Sequence, residues 1–304
     1  MSDQDTSQAP QTTAQEPAVT EQHTGEHCVT DRPTPTGQKG TGETIKLNDV
    51  DAYISKPADF PHTPCRVLLL LTGGTGIKST NNQIQADNYA SEGFLVVMPD
   101  MFGGDMPFAP SITDDSASLL ERVKMKAVEI TKAFVIDMWL ARVTEEKVMP
   151  ILHKVIDAIH DQYADVVKSG GGIYAVGYCV GGRFVLLLGK ETQQRGSDEE
   201  SAPVKKGPYI KAGAVAHGAS VTPDDFKDIK VPLSLVCVEN DSLFPDEVRT
   251  AGEDTMSAAD LEHEVQVYPG VPHGFAVVGE YADPHIKDAQ SAAYQQMLSW
   301  IQTH

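Results

Sequence analysis

Short, continuous apolar runs recur between residues 66 and 268 and alternate with longer stretches that have a helical pattern. Strands that are apolar on both faces are typical of a parallel sheet covered by helices on both sides. The sequence predicts such strands at residues 66–71, 94–98, 172–176, 212–216, 233–238 and 265–268, and helices at residues 82–92, 115–133, 145–168, 182–190, 245–259 and 288–301. Because alternating strands and helices join by right-handed crossovers, we expect a doubly wound, mostly parallel α/β sheet with helices on both faces.

The segments outside this pattern set the predicted domain boundaries. Residues 1–40 are rich in Gln, Thr, Pro and Glu and poor in large apolar residues, so we expect a mobile segment, draped on the surface near its end. Residues 41–304 are predicted to form a single α/β domain, which begins with a β-hairpin at a sheet edge over residues 41–55. Residues 193–206 are polar and charged, which indicates a surface insertion.

Composition and charge narrow the range of partners. The formal net charge of −19 disfavours nucleic acid and anionic membranes, since both would repel the chain. No apolar run is long enough to span a bilayer and no secretory signal is evident, so we expect a cytoplasmic monomer or homodimer that acts on a small molecule. The four cysteines lack CxxC spacing and nearby His ligands, and we therefore predict neither a metal site nor a disulfide framework.

The candidate nucleophile is Cys179, in the turn Gly177-Tyr178-Cys179-Val180-Gly181 between a predicted strand and a predicted helix. This is the context of the G-x-S-x-G nucleophile elbow, with Cys in place of Ser. The positive end of the following helix favours a thiolate at this position. Gly-rich turns between strand and helix are common, however, and the alternative is that Cys179 merely packs.

Candidate partners for the thiol follow two later strands. Asp241 and His273 each come just after a predicted strand, at the carboxyl edge where such sheets place their sites. The chain order is nucleophile, acid, base, as in α/β-hydrolases. Glu239 is the rival acid and His217 the rival base. We interpret Glu239 as still within its strand and His217 as a residue of the pocket wall.

Taken together, six stretches of the chain resemble the dienelactone hydrolases of the α/β-hydrolase superfamily, in particular the fungal members, from about Cys28 to the C-terminus. They are residues 33–37, 81–90, 97–105, 177–182, 239–241 and 273–275. The resemblance implies a Cys179–His273–Asp241 triad that hydrolyses an enol-lactone through an acyl-enzyme, without a cofactor. It also implies an oxyanion hole formed by the backbone N–H groups of Val180 and of a residue near Gly74. We expect a substrate pocket lined by Tyr178, His217, Phe102 and Phe275.

Two positions depart from the family pattern. Bacterial members resemble this chain but carry a glutamate where it has Gly73 and a substrate-binding arginine where it has Val277. A pocket without that arginine is less suited to an anion, so we expect a neutral, more apolar lactone, ester or thioester.

Alternatives to hydrolysis stay open. One is a non-hydrolytic isomerase, cyclase or small-molecule-binding protein that uses the same pocket, and the absence of a carboxylate at Gly73 keeps it open. A redox-sensing thiol ranks last, since no resolving cysteine lies nearby. Helices between residues 118 and 168, which carry Phe134 and Trp139, are predicted either to cap the pocket or to cover the core.

Overall fold

The computed structural model describes residues 30–107, 135–194 and 204–304. The strands are Glu43–Leu47 (β1), Val50–Ser55 (β2), Arg66–Leu71 (β3), Phe94–Pro99 (β4), Ile173–Tyr178 (β5), Thr192–Gln194 (β6), Val204–Lys206 (β7), Gly213–Ala216 (β8), Leu233–Val238 (β9) and His263–Tyr268 (β10). The helices are Thr80–Ser91 (α1), Glu145–Gln162 (α2), Ala164–Gly170 (α3), Val180–Leu188 (α4), Asp246–Ala258 (α5) and Pro284–Thr303 (α6), and residues 135–140 are also helical.

Eight strands form one sheet in the order β1-β2-β4-β3-β5-β8-β9-β10. The six strands from β4 to β10 in this order are parallel, whereas β2 runs antiparallel to both β4 and β1. The predicted doubly wound sheet and the hairpin at its edge are therefore confirmed. Because neighbouring strands end at one edge, the residues that follow β5, β8, β9 and β10 lie close together.

Hydrophobic packing explains why the central strands are apolar throughout. In β3, Leu69 and Leu71 belong to the core on one face, with residues of α2 and α4. Leu68 and Leu70 belong to the core on the other face, with residues of α1 and α6. Successive side chains of a strand point to opposite faces, so a strand buried between two helical layers needs apolar residues at every position.

The described helices match the predictions within a few residues, with one exception. The helix predicted over residues 145–168 is two helices, α2 and α3, with Tyr163 between them. The helix predicted over residues 115–133 and the side chain of Phe134 lie outside the described residues. Trp139 covers the core, since it is fully buried, packs edge-on against Phe102 at 5.1 Å and donates a hydrogen bond to the carbonyl of Asp105.

The two ends of the predicted insertion pair with each other, because β6 and β7 form a separate antiparallel ribbon. Residues 1–29 of the predicted mobile segment lie outside the described residues, but residues 30–40 run along the surface of the domain. The backbone N–H of Glu280 donates a hydrogen bond to the carbonyl of Pro33 at 2.8 Å, which ties this segment to the loop before α6. In the described part of the chain, we find no helix with the length and apolar character required to cross a membrane.

Candidate active site

Cys179 lies in a strained turn between β5 and α4. Its backbone has φ 54° and ψ −126°, a conformation that is rare for a residue with a side chain. The turn is tight enough to require glycine at position 177, where a Cβ atom would lie 2.6 Å from the carbonyl oxygen of Gly181. The carbonyl of Cys179 accepts hydrogen bonds from the N–H groups of Gly182 and Ala219, which hold the turn in place. The local sequence thus fixes Cys179 at the N-terminus of α4.

His273 and Asp241 form the second part of the site. Asp241 follows β9, His273 follows β10, and the ring Nδ1 lies 2.7 Å from Asp241 Oδ2. Both side chains are nearly inaccessible to water, with 9% of His273 and 2% of Asp241 exposed. The other carboxylate oxygen of Asp241 accepts a hydrogen bond from the backbone N–H of Leu243 at 3.0 Å, which orients the carboxylate. The acid that the sequence favoured is therefore the one that contacts the base.

Electrostatics link His273 to the nucleophile. Burial by itself lowers the pKa of His273, but the negative charge of Cys179 and the hydrogen bonds with Asp241 and Cys179 raise it to about 10. A histidine with a raised pKa keeps its proton at neutral pH, and an imidazolium next to a sulfur favours the thiolate form. The arrangement therefore favours an imidazolium at His273 beside the sulfur of Cys179.

His217, the rival base, has a different place in the site. The backbone N–H of Cys179 is directed at two acceptors, the carbonyl of Ala216 at 3.1 Å and Nδ1 of His217 at 3.3 Å. An Nδ1 that accepts a hydrogen bond carries no proton, so the neutral ring has its proton on Nε2. The His217 ring also packs edge-on against His273, with centroids 4.9 Å apart. His217 thus contacts both the turn that carries Cys179 and the ring of His273.

The other described cysteines differ from Cys179 in their surroundings. Cys65 and Cys237 are buried and form no disulfide. Burial raises the pKa of Cys237 to about 12 and also raises that of Cys65, so both thiols stay protonated at neutral pH. Cys28 lies outside the described residues. Among the described cysteines, only Cys179 lies beside a histidine that can hold its proton.

A pocket opens beside Cys179, and its lining includes both expected and unexpected residues. His217, Gly73 and Val277 line it, in agreement with the sequence-based interpretation of these positions. Sequence reasoning missed Asp31, Arg32 and Asn81, which line the same pocket. The family resemblance could have indicated these residues, because it begins near Cys28, just before Asp31 and Arg32, and includes residues 81–90.

Three of the four predicted pocket residues lie elsewhere. Tyr178 precedes Cys179 at the end of a strand, so its side chain points to the other face of the sheet, where its hydroxyl lies 2.9 Å from that of Tyr89. Phe102 packs against Trp139, and Phe275 is fully buried behind His217 at a ring distance of 6.1 Å. These three aromatic rings pack in the hydrophobic core, and of the four predicted residues only His217 lines the described pocket.

The loop after β3 passes directly over the nucleophile. A Cβ atom at Gly73 would lie 3.0 Å from the Cβ of Cys179, so a side chain at this position would crowd the thiol. Gly74 is buried next to it, and Val180 begins α4 on the other side of Cys179. The structure thus brings both predicted oxyanion-hole segments to the nucleophile.

Side chains able to hold a metal are sparse around this site. Within residues 30–107, 135–194 and 204–304, no group of three or more His, Cys, Asp or Glu side chains is close enough together to bind a metal ion.

Comparison with known proteins identifies the family. The model of the dienelactone hydrolase family matches residues 50–304, which is most of the chain. This chain belongs to the dienelactone hydrolase family. It is 28% identical to the hydrolase pyvD of Aspergillus violaceofuscus over 260 residues, which cover 86% of this chain and 89% of the relative. It is also 28% identical to dienlactone hydrolase 1 of Gibberella moniliformis, over 86% of this chain and 87% of that protein.

Solved structures agree with the fold. A candidate dienelactone hydrolase from Klebsiella pneumoniae superimposes with a TM-score of 0.60 at 17% identity, over 88% of this chain and 97% of that chain. A thermophilic esterase from Thermogutta terrifontis with propionate bound gives a TM-score of 0.55 at 13% identity, over 85% and 94% of the two chains. The fold is that of the α/β-hydrolases, and membership of the family makes the chain a hydrolase of the lactone and ester type.

Proposed function

We propose that this member of the dienelactone hydrolase family uses Cys179, His273 and Asp241 as a catalytic triad and cleaves a neutral lactone, ester or thioester through an acyl-enzyme. The observation that carries the proposal is the joint geometry of the site. A cysteine held at φ 54° at the N-terminus of α4 lies beside a histidine whose Nδ1 is 2.7 Å from a buried carboxylate. Nucleophile, base and orienting acid occur together in the arrangement that covalent catalysis requires.

The chemistry follows from these positions. The Cys179 thiolate attacks the carbonyl carbon, and the backbone N–H groups of Val180 and the Gly73–Gly74 loop stabilise the oxyanion. The carbon–oxygen bond of the lactone or ester then breaks, and the leaving oxygen takes the proton of His273. In the second half, His273 accepts a proton from water, which attacks the thioester and releases the acid and the thiolate. Asp241 stabilises the imidazolium that is present before the leaving oxygen takes its proton and again after His273 has accepted a proton from water.

Two features of the pocket support a neutral substrate. Val277 and Val278 give one wall an apolar surface. The opposite charges of Asp31 and Arg32, adjacent in the chain and both at the pocket, balance each other. If the protein turned over a dicarboxylate-like dienelactone far better than neutral lactones, this part of the proposal would be contradicted.

A chromogenic short-chain ester tests the triad. With p-nitrophenyl butyrate, we expect a burst of nitrophenolate followed by slower turnover, and a butyryl adduct on the protein by intact-mass spectrometry. Cys179→Ala removes the nucleophile and is expected to abolish both the burst and the adduct. Loss of a nucleophile typically reduces kcat by about four orders of magnitude or more.

Cys65→Ala is the matched control, because Cys65 precedes β3 at the edge of the sheet opposite the site. We expect this variant to keep the burst and the adduct. A burst of equal size in Cys179→Ala would contradict the proposal.

A second candidate function is a non-hydrolytic isomerase or cyclase that uses the same pocket. The observation that favours it is Gly73, which leaves no carboxylate in the loop over the thiol. Turnover of a pathway substrate that persists in Cys179→Ala, with no acyl adduct in the wild-type protein, would support this alternative.

A further inference from the structure

A buried hydrogen-bond acceptor lies at the pocket without a partner. Asn81 is 1% exposed, lines the pocket together with Cys179, and donates a hydrogen bond from Nδ2 to the carbonyl of Arg32 at 2.7 Å. Because a carbonyl can only accept, this bond fixes which end of the amide is Oδ1. Oδ1 has no hydrogen-bond partner among the described residues. Leaving such an atom unpaired in the interior is costly, so its presence at a binding pocket points to a ligand that pairs it.

Asp31 is a second acceptor in the same wall. One of its oxygens accepts a hydrogen bond from the hydroxyl of Ser79 at 2.9 Å, and it also has a hydrogen bond with Thr75. The Thr75 hydroxyl itself accepts from Asn82 Nδ2, so its own proton is available for Asp31. A carboxylate offers about four lone-pair sites, and two donors leave part of this capacity unused.

The segment that carries Asp31 is built into the wall of the pocket. The carbonyl of Arg32 accepts a hydrogen bond from Asn81, and the guanidinium of Arg32 lies 4.8 Å above the ring of Tyr281. The carbonyl of Pro33 accepts a hydrogen bond from the backbone N–H of Glu280. These contacts join the segment to the first turn of α1 and to the loop before α6. The segment lies outside the part of the chain that matches the family model, which starts at residue 50.

We propose that Asn81 and Asp31 form a hydroxyl-recognition subsite, and that the substrate is a lactone or ester that carries a free hydroxyl group. The inference rests on the proposed hydrolase function and specifies its substrate class. Both groups accept hydrogen bonds, so the complementary group on the substrate must be a donor. A hydroxyl is such a donor and carries no charge, in keeping with a neutral substrate. A site built to bond a substrate hydroxyl discriminates strongly against the analogue that lacks it, because its buried polar atoms then stay unpaired.

The test compares γ-butyrolactone with its α-hydroxy and β-hydroxy derivatives, with acid release followed by a pH indicator. For the wild-type protein, we expect kcat/KM for at least one hydroxylactone to exceed that for the parent lactone by about tenfold or more, the ratio for one recovered hydrogen bond. Asn81→Leu removes the acceptor and is expected to bring this ratio close to one. Asp31→Asn is expected to reduce the ratio less, since its amide oxygen still accepts.

Asn88→Leu is the matched control. Asn88 is exposed on the same helix, α1, and we expect this variant to keep the wild-type ratio. Circular dichroism and thermal unfolding check that Asn81→Leu is folded. If it is not, Asn81→Ser replaces it, because the shorter side chain no longer offers an acceptor at the position of Oδ1.

A binding measurement separates the subsite from the hydrolase function. Ligand-observed NMR with the Cys179→Ala protein gives the relative affinities for the same lactones without turnover. Suppose that the wild-type protein hydrolyses none of these lactones but Cys179→Ala binds a hydroxylactone more tightly than the parent lactone. That result would overturn the proposed hydrolase activity and support the subsite. Equal affinities and equal kcat/KM values for the parent and both hydroxylactones would overturn the subsite, as would a preference that persists in Asn81→Leu.

Discussion

At the scale of single residues, the reactivity proposed for the site depends on the groups that keep His273 protonated. The charge of Cys179 and the hydrogen bonds with Asp241 and Cys179 raise the pKa of His273 to about 10 against the opposing effect of burial. A rate that requires the imidazolium is therefore retained through neutral pH and is lost as the pH rises through the pKa of His273. The alkaline side of the pH profile thus reports on this ring.

We expect Asp241→Asn to lower kcat by about two to four orders of magnitude, because the ring loses the carboxylate that orients it and stabilises its charge. The same change removes an interaction that raises the pKa of His273. The alkaline fall in kcat/KM should therefore move to lower pH. Stopped-flow rates with p-nitrophenyl butyrate over the range of about pH 6 to 10 would measure both effects.

Glu239→Gln is the control for this prediction, since Glu239 is the neighbouring acid and is exposed. We expect an unchanged profile. An equal loss of activity in Glu239→Gln, or an alkaline fall that stays in place in Asp241→Asn, would show that Asp241 does not act on His273.

The places of Cys179, Asp241 and His273 in the fold could be predicted from the sequence because each residue follows a strand or lies in a recognisable turn. The pocket wall could not be predicted in this way. Asp31 and Arg32 come from a polar segment with no periodic pattern, and their place depends on hydrogen bonds with Ser79, Asn81 and other residues distant in the chain. Tyr178 is predicted to line the pocket, but alternation along β5 places its side chain on the opposite face of the sheet from Cys179.

At the scale of elements, the nucleophile helix α4 is tied to the short 3₁₀ helix Pro223–Phe226. Arg183 Nε donates a hydrogen bond to Asp225 Oδ2 at 3.0 Å, and the Arg183 and Asp225 side chains are 20% and 5% exposed. Asp225 also accepts hydrogen bonds from the backbone N–H and the hydroxyl of Thr222. One buried carboxylate thus satisfies donors from two elements.

We expect Asp225→Ala to lower the free energy of unfolding by about 3 kcal/mol, near the lower end for breaking a buried ion pair, because Arg183 keeps some access to water. Urea unfolding followed by circular dichroism would measure it. The neighbouring Asp224→Ala is the matched comparison, since Asp224 pairs with Lys227 on the surface and should change stability little. Similar losses in the two variants would refute a special role for the buried pair.

Elements with strong apolar patterns were predicted within a few residues, because burial on both faces leaves an unambiguous signature, as in β3. Boundaries set by local polar contacts were less accessible. The helix α1 begins at Thr80 because the hydroxyl of Ser79 caps it by accepting from the N–H of Asn82, a contact that periodicity does not reveal. The break between α2 and α3 is likewise not marked in the sequence, because the residue there is Tyr163 and not Gly or Pro.

At the scale of the whole molecule, the net charge of −19 sets up repulsion between like charges that is greatest in the compact state. Several exposed ion pairs oppose it, among them Lys46–Asp51, Lys56–Glu43 and Lys154–Asp49. Exposed pairs of this kind contribute little each, so the repulsion should dominate the response to salt.

We therefore expect the Tm at about pH 7.5 to rise by a few degrees when NaCl is increased from about 10 to 200 mM, because the Debye length falls from about 30 Å to below 10 Å and screens the repulsion. At about pH 5 histidines with an ordinary pKa are protonated and some carboxylates lose their charge, so the net charge is smaller and the effect of salt should weaken. Differential scanning fluorimetry with NaCl and with KCl would measure this response and separate screening from binding of a particular cation. A Tm that falls with salt at pH 7.5 would mean that favourable ion pairs outweigh the repulsion, and that the acidic surface stabilises the fold.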